Sequence, residues 1–153
     1  MKITRTTDFE LIAQLNQPIH ELHVALYPQY FTEYTFEAIR DAFQELVQNE
    51  SFVFLLLEDD QEALGYAWIE MKMYPQTAFT KQRTTAFVHQ LCVVGHQRRR
   101  GYGTAFMNHI YELARTEGMD SVELDYWVEN EVARNFYSKE GFLGYREFVH
   151  KKV

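Results

Sequence analysis

Apolar residues recur along the chain at two spacings, and the switches between them mark out its elements. Residues 2–6 alternate apolar and polar as a short edge strand does; Thr7 or Asp8 then stands as a helix N-cap before Leu11, Ile12 and Leu15 at helical spacing. Pro18 is expected to break this helix, or to begin a second one as its first residue with Ile19, Leu22 and Leu26 facing inward. Tyr27-Pro28-Gln29-Tyr30-Phe31 reads as a loop, and Thr35 as the cap of a helix that carries Ile39, Phe43 and Val47 and ends at Asn49. Residues 51–58 and 63–74 are β-rich runs divided by Asp59-Asp60-Gln61-Glu62, which predicts an antiparallel hairpin. After an irregular connection over 75–82 comes a long central strand over 83–94. From Tyr102, the positions Phe106, Ile110 and Leu113 define a helix face that Gly118 closes. A strand over 121–128, a helix capped by Asn130 and a last strand over about 145–150 complete the order β-α-α-β-β-β-α-β-α-β.

Length and composition narrow the class. With 153 residues and 46% hydrophobic content, the chain is expected to form one domain over 1–153 with a sizeable core. No apolar run approaches the roughly 20 residues needed to cross a bilayer, and Met1-Lys2-Ile3-Thr4-Arg5 lacks a signal-peptide core, so no membrane role and a cytoplasmic location are expected. The single cysteine, Cys92, excludes an internal disulfide framework and a cysteine-cluster metal site; it lies in an apolar strand and reads as a small hydrophobe. A net charge of −7 argues against nucleic-acid binding and suits a cationic, amine-bearing partner. His20 and His23 lie one helical turn apart, but without a third ligand they read as a solvated face, and no metal is expected.

The basic run Arg98-Arg99-Arg100 is the local exception. It sits in Leu91-Cys92-Val93-Val94-Gly95-His96-Gln97-Arg98-Arg99-Arg100-Gly101-Tyr102-Gly103-Thr104, where an apolar strand enters a glycine-punctuated turn that opens onto a helix. Helix-start N–H groups lack intrahelical partners and sit at the positive end of the dipole, so the turn is laid out to hold a phosphate. Gly101 and Gly103 lack a Cβ, which lets the backbone approach an anion closely or take positive φ. A dinucleotide fingerprint would want a third glycine where Phe106 stands, and a P-loop would want a lysine that is missing. Downstream, Asn130-Glu-Val-Ala133-Arg-Asn-Phe136-Tyr137-Ser-Lys-Glu-Gly141-Phe142 puts a good N-cap at Asn130, a good C′ residue at Gly141, and Asn130 and Tyr137 two turns apart.

Together, Arg98-x-x-Gly101-x-Gly103 and the Asn130 to Phe142 segment resemble the two hallmark motifs of the Gcn5-related N-acetyltransferase (GNAT) superfamily. The resemblance implies a single-domain α/β fold: a mixed, mostly antiparallel central sheet with helices on both faces. The strand before the phosphate turn is expected to carry a bulge and to splay from its neighbour, here 85–94 from 121–128. It also implies acetyl transfer from acetyl-CoA, as co-substrate, to a primary amine. Leu91, Cys92, Val93, Arg98, Arg99, Arg100, Gly101, Tyr102, Gly103, Thr104, Asn130, Ala133 and Phe136 would then bind the cofactor, with the Val93 N–H facing the thioester oxygen and Tyr137 protonating the departing thiolate.

The base is less determined. Many relatives carry a glutamate where His89 stands, and an unperturbed imidazole titrates near 6.5; strand alternation puts His89 on the face of Leu91 and not of Gln90. Glu123, Asp125 or ordered water remain alternatives, as does a purely structural His89. Tyr27, Tyr30, Phe31 and Tyr34 are candidates for holding an amine acceptor, small molecule or peptide, by cation–π attraction; packing between subunits or helices is the other reading. A homodimer is compatible with the superfamily habit and rests on no residue. A non-catalytic acyl-CoA-binding module is the rival function.

Overall fold

A computed structural model describes residues 1–94 and 101–153. Strand β1 (Lys2–Arg5) leads into α1 (Phe9–Leu26), α2 (Phe36–Leu46), β2 (Phe52–Asp59), β3 (Glu62–Tyr74), β4 (Arg83–Val93), α3 (Tyr102–Thr116), β5 (Ser121–Leu124) and α4 (Glu131–Lys139). The sheet has the order β1-β2-β3-β4-β5; its first three pairs are antiparallel and β4–β5 is parallel. The β2–β3 turn places Asp60 (φ 48°) and Gln61 (φ 66°) in left-handed conformations, the twist-matched geometry of a two-residue hairpin.

Strands β2, β3 and β4 send side chains to two cores. Val53, Leu55, Leu57, Ala67, Ile69, Ala86 and Val88 meet Phe106, Met107 and Ile110 of α3 and Tyr137 of α4. Phe54, Leu56, Tyr66 and Cys92 meet Ile12, Ala13 and Leu15 of α1 and Phe43 of α2. Full burial of side chains such as Phe106 and Ile110 contributes about 1.5–3 kcal/mol each, so helices are held on both faces.

Two expectations are corrected. Pro18 neither ends α1 nor starts a new helix, for α1 is a single helix with Pro18 inside it. Ile12, Ala13, Leu15 and Asn16 before the proline are buried, and Ile19 after it packs on the same core, so sheet contacts on both sides outweigh the roughly 3 kcal/mol cost of the ring. The strand expected over about 145–150 does not form: residues 142–153 have no regular structure. A strand is completed by a neighbour's ladder, which alternation along one segment cannot supply.

Candidate active site

The site grows from a break in the sheet. β4 pairs with β5 only from Thr85–Ser121 to Val88–Leu124, after which β4 continues to Val93 without it. The expected strand over 121–128 is therefore cut at Leu124, and the two chains splay. At the same point the β3–β4 register steps from Trp68–Gln90 to Ile69–Val88, leaving His89 as the extra residue of a bulge. Beyond the bulge the ladder with β3 resumes, and the Val94 N–H donates to the Leu64 carbonyl at 2.9 Å. Backbone alternation then turns the N–H groups of Leu91 and Val93 toward the side that β5 has left. The side chains of Leu91 and Val93 pack on the α3–α4 core, whereas Cys92 is buried on the other face with its thiol donating to the Leu15 carbonyl at 3.3 Å.

Next along the chain among the described residues comes the start of α3. Gly101 is its N-cap with φ +83°, no side chain among the described residues caps the first turn, and no acidic residue stands in it. The amide ends and the helix dipole thus favour an anion there. Arg98, Arg99 and Arg100 lie outside the described residues. Tyr102 contributes no side chain to such a site, since it is buried with its hydroxyl donating to Asp59 Oδ2 at 2.7 Å. The Thr104 hydroxyl donates to Glu140 Oε1 at 2.7 Å, tying α3 to the end of α4. Gly103 serves a purpose that the sequence reading did not foresee: a Cβ there would stand 3.0 Å from Phe136 Cζ, so its absence lets α3 and α4 approach.

α4 forms as its motif requires. Asn130 caps it by accepting from the Ala133 N–H at 3.1 Å, and Gly141 leaves it at φ +86°. Tyr137 is buried, stacked on Tyr126 and edge-on to Phe142. Burial, reinforced by Tyr111, holds its phenol well above the ordinary tyrosine range, so it stays protonated throughout neutral pH.

The opposite face carries the second chemical group. Because the bulge adds a residue, His89 and Gln90 both point toward α1 and α2, which corrects the expectation that His89 shares a face with Leu91. The imidazole stacks on Trp68 with centroids 4.4 Å apart, meets Phe52 and Phe87 edge-on, and engages Glu70 Oε2 through Nε2 at 2.8 Å. Beside it, Tyr66 donates to Gln90 Oε1, and Asn16 Nδ2 donates to the Tyr66 hydroxyl at 2.8 Å. The other carboxylates considered are used or outlying: Glu123 pairs with Arg83, and Asp125 is exposed.

Of the four N-terminal aromatics, three meet. Tyr27, Tyr30 and Phe31 surround Trp127, with centroids 4.5, 5.7 and 5.1 Å from its ring, and the Tyr27 hydroxyl accepts from the Glu129 N–H at 3.0 Å. Tyr34 is spent on structure, its hydroxyl donating to the Ala13 carbonyl at 2.8 Å. The histidine pair on α1 is likewise engaged: His20 Nε2 meets the Thr32 carbonyl at 2.7 Å and His23 stacks on Phe31. Sequence reasoning missed Trp127, Glu70, Asn16 and Tyr66. For Trp127 a signal existed, since it stands three residues before the Asn130 cap; the others become neighbours only through strand pairing.

A strand pair that splays at a bulge, a helix start with no side-chain cap among the described residues, a buried tyrosine on one face of the sheet and a histidine on the other accompany a match of the acetyltransferase (GNAT) family profile to residues 16–142, and the chain belongs to that family. Among particular proteins, it is 30% identical over 100 residues to MJ1207, an uncharacterized N-acetyltransferase of Methanocaldococcus jannaschii, a match covering 65% of this chain and 43% of that protein. The chain thus spans less than half the length of that relative. The BH1408 protein from Bacillus halodurans, solved as a tetramutant, has a TM-score of 0.94 at 26% identity, with 100% of each chain covered. Aminoglycoside N-acetyltransferase AAC(6')-Iy, in complex with CoA, shares the fold with a TM-score of 0.71 at 14% identity, covering 99% of this chain and 93% of that one. Among the described residues, no helix is long and apolar enough to cross a membrane.

Proposed function

We propose that this protein transfers an acetyl group from acetyl-CoA to the amine of a small molecule or peptide, by direct attack on the thioester while both are bound. The observation that supports the reading is the parting of β4 from β5 at the His89 bulge, followed along the chain by a helix start whose amide ends suit an anion. Gly101, Gly103 and Thr104 would offer backbone N–H groups to the pyrophosphate, with Arg98, Arg99 and Arg100 adding charge. The missing Cβ of Gly101 fits this use, because its backbone conformation is one that side chains rarely adopt and nothing among the described residues lies within 4 Å of the vacant position. The fold neighbour that holds CoA supports the same ligand here.

An alkyl amine with a pKa near 10 must lose a proton before it can attack. In this reading the proton passes to His89 through Nδ1, since Nε2 is occupied by Glu70. As the nitrogen–carbon bond forms, the charge that builds on the carbonyl oxygen needs a hydrogen-bond donor, for which the family resemblance offers the Val93 N–H as the candidate. The carbon–sulfur bond then breaks with its electron pair on sulfur, the Tyr137 hydroxyl delivers a proton to that sulfur, and the second proton lost from the nitrogen passes through solvent to restore the phenol. Tyr27, Tyr30, Phe31 and Trp127 present aromatic faces suited to a cationic acceptor.

The test is release of free CoA thiol over a panel of amines, comparing the parent with Tyr137→Phe. The expected result is turnover on at least one amine, a kcat about 10²–10⁴ lower in the variant, and little change in acetyl-CoA affinity. Tight acetyl-CoA binding with no turnover on any amine would favour the non-catalytic acyl-CoA-binding module instead.

A further inference from the structure

Glu70 stands on β3, and the bulge in β4 sets His89 beside it, with the carboxylate Oε2 2.8 Å from the imidazole Nε2. Three aromatic rings fix the plane of the imidazole. Trp68 stacks on it at 4.4 Å with 23° between the planes, and Phe87 and Phe52 meet it edge-on at 4.9 and 5.8 Å. Within that plane the Glu70 bond decides which way round the ring sits, because a half-turn about Cβ–Cγ would put Cε1 where Nε2 stands and lose the bond. The side chains of His89 and Glu70 are 27% and 23% exposed, which limits the competition of water for it.

The chemistry of the partner then decides where the ring carries its hydrogen. A carboxylate can only accept, so Nε2 must donate, and in the neutral ring the lone pair is left on Nδ1. No described residue bonds Nδ1, and the side-chain atoms buried without a partner among the described residues are Asn16 Oδ1 and Trp68 Nε1, so Nδ1 is open to solvent. That is what a base needs: a lone pair within reach from outside. When Nδ1 takes up a proton, the ring becomes a cation and its bond to Glu70 joins opposite charges, which strengthens it.

We propose that Glu70 is the positioning residue of the base, holding His89 as the Nε2–H tautomer with Nδ1 free for the acceptor amine. The role rests on the acetyl-transfer reading, whereas the tautomer is observable without it. Glu70→Gln tests both, for the amide keeps the shape of the side chain but can donate as well as accept, and so admits either tautomer. Nitrogen NMR of protein labelled at histidine, read at the alkaline end of the His89 titration, reports which nitrogen bears the hydrogen; the His89 signals are those missing from His89→Gln. The expected parent shows Nε2–H alone, and Glu70→Gln gains the Nδ1–H form with a kcat at least about tenfold lower and an unchanged affinity for acetyl-CoA. A parent ring with its hydrogen on Nδ1 overturns the proposal, and so does a Glu70→Gln protein that keeps the parent's tautomer or its kcat. No turnover by the parent on any amine is a distinct result: it sinks the acetyl-transfer reading, and the positioning role with it, while the NMR signals still decide the tautomer.

Discussion

Gly65 faces Val93 across the β3–β4 ladder, and replacing it by alanine tests how tightly the sheet is closed beside the gap. A Cβ at this position would lie 2.2 Å from the Cys92 carbonyl oxygen and 3.1 Å from Val93 Cα. The first distance is more than 1 Å inside the roughly 3.5 Å optimum for non-bonded heavy atoms, and both neighbours are backbone, so no rotamer change relieves the clash. The strands must part where β4 presents the Val93 N–H. Overpacking typically costs 1–3 kcal/mol, and a backbone clash belongs at the upper end, about 3 kcal/mol; for a chain of this size that lowers Tm by about 6–12 °C. Gly118→Ala is the control, since Gly118 has φ +70° but nothing within 4 Å of the vacant position, so only backbone strain of about 1–2 kcal/mol applies. Thermal unfolding followed by circular dichroism measures both. A Gly65→Ala protein that melts with the parent, or no lower than Gly118→Ala, would refute the steric argument.

Two further predictions concern pH. Tyr66 and Tyr137 are buried with phenols held above their ordinary value of 10.0, so above that value the unfolded chain loses protons that the folded chain keeps. Their contribution is intact below pH 10 and is lost as pH climbs toward the folded values, by about 1.4 kcal/mol per pH unit for each tyrosine; Tyr137→Phe should make the fall in Tm between pH 10 and 11 shallower, and an equal slope counts against it. Asp120 is the opposite case: the Thr84 N–H, then the Thr84 hydroxyl, hold its carboxyl below the ordinary 3.8. That stabilisation is present above the ordinary value and disappears as pH falls through the folded one. Asp120→Asn should therefore melt below the parent at neutral pH, with the difference closing in acid; a gap constant with pH would argue against it.

What the sequence disclosed was local. Asp8 and Asn130 as caps, and Gly118 and Gly141 as left-handed helix exits, are decided within a few residues, and all take those roles. The helix faces of Phe106, Ile110 and Phe43 follow from spacing in the same way. Pro18 misled because its local penalty is set against a sheet that the sequence does not display. The 145–150 segment misled because alternation describes one half of a ladder. His89 misled because a single inserted residue reverses the parity of everything on one side of it. Its partner Glu70 is 19 residues away and becomes a neighbour only once β3 and β4 are registered. The family motifs led to the helix start and Tyr137, whereas the ring cluster on Trp127 joins segments that no short motif spans.

The close approach of Gly103 and Phe136 has a mechanical consequence. α3 begins at Tyr102, α4 carries Tyr137 one residue beyond Phe136, and a second tie runs from Thr104 to Glu140. Two points of attachment brace the start of α3 against α4, which sets the span from that helix start to the phenol. In the acetyl-transfer reading, a molecule held at the start of α3 is measured against this gauge, and its reactive end would meet Tyr137 only if the molecule were as long as the gauge requires.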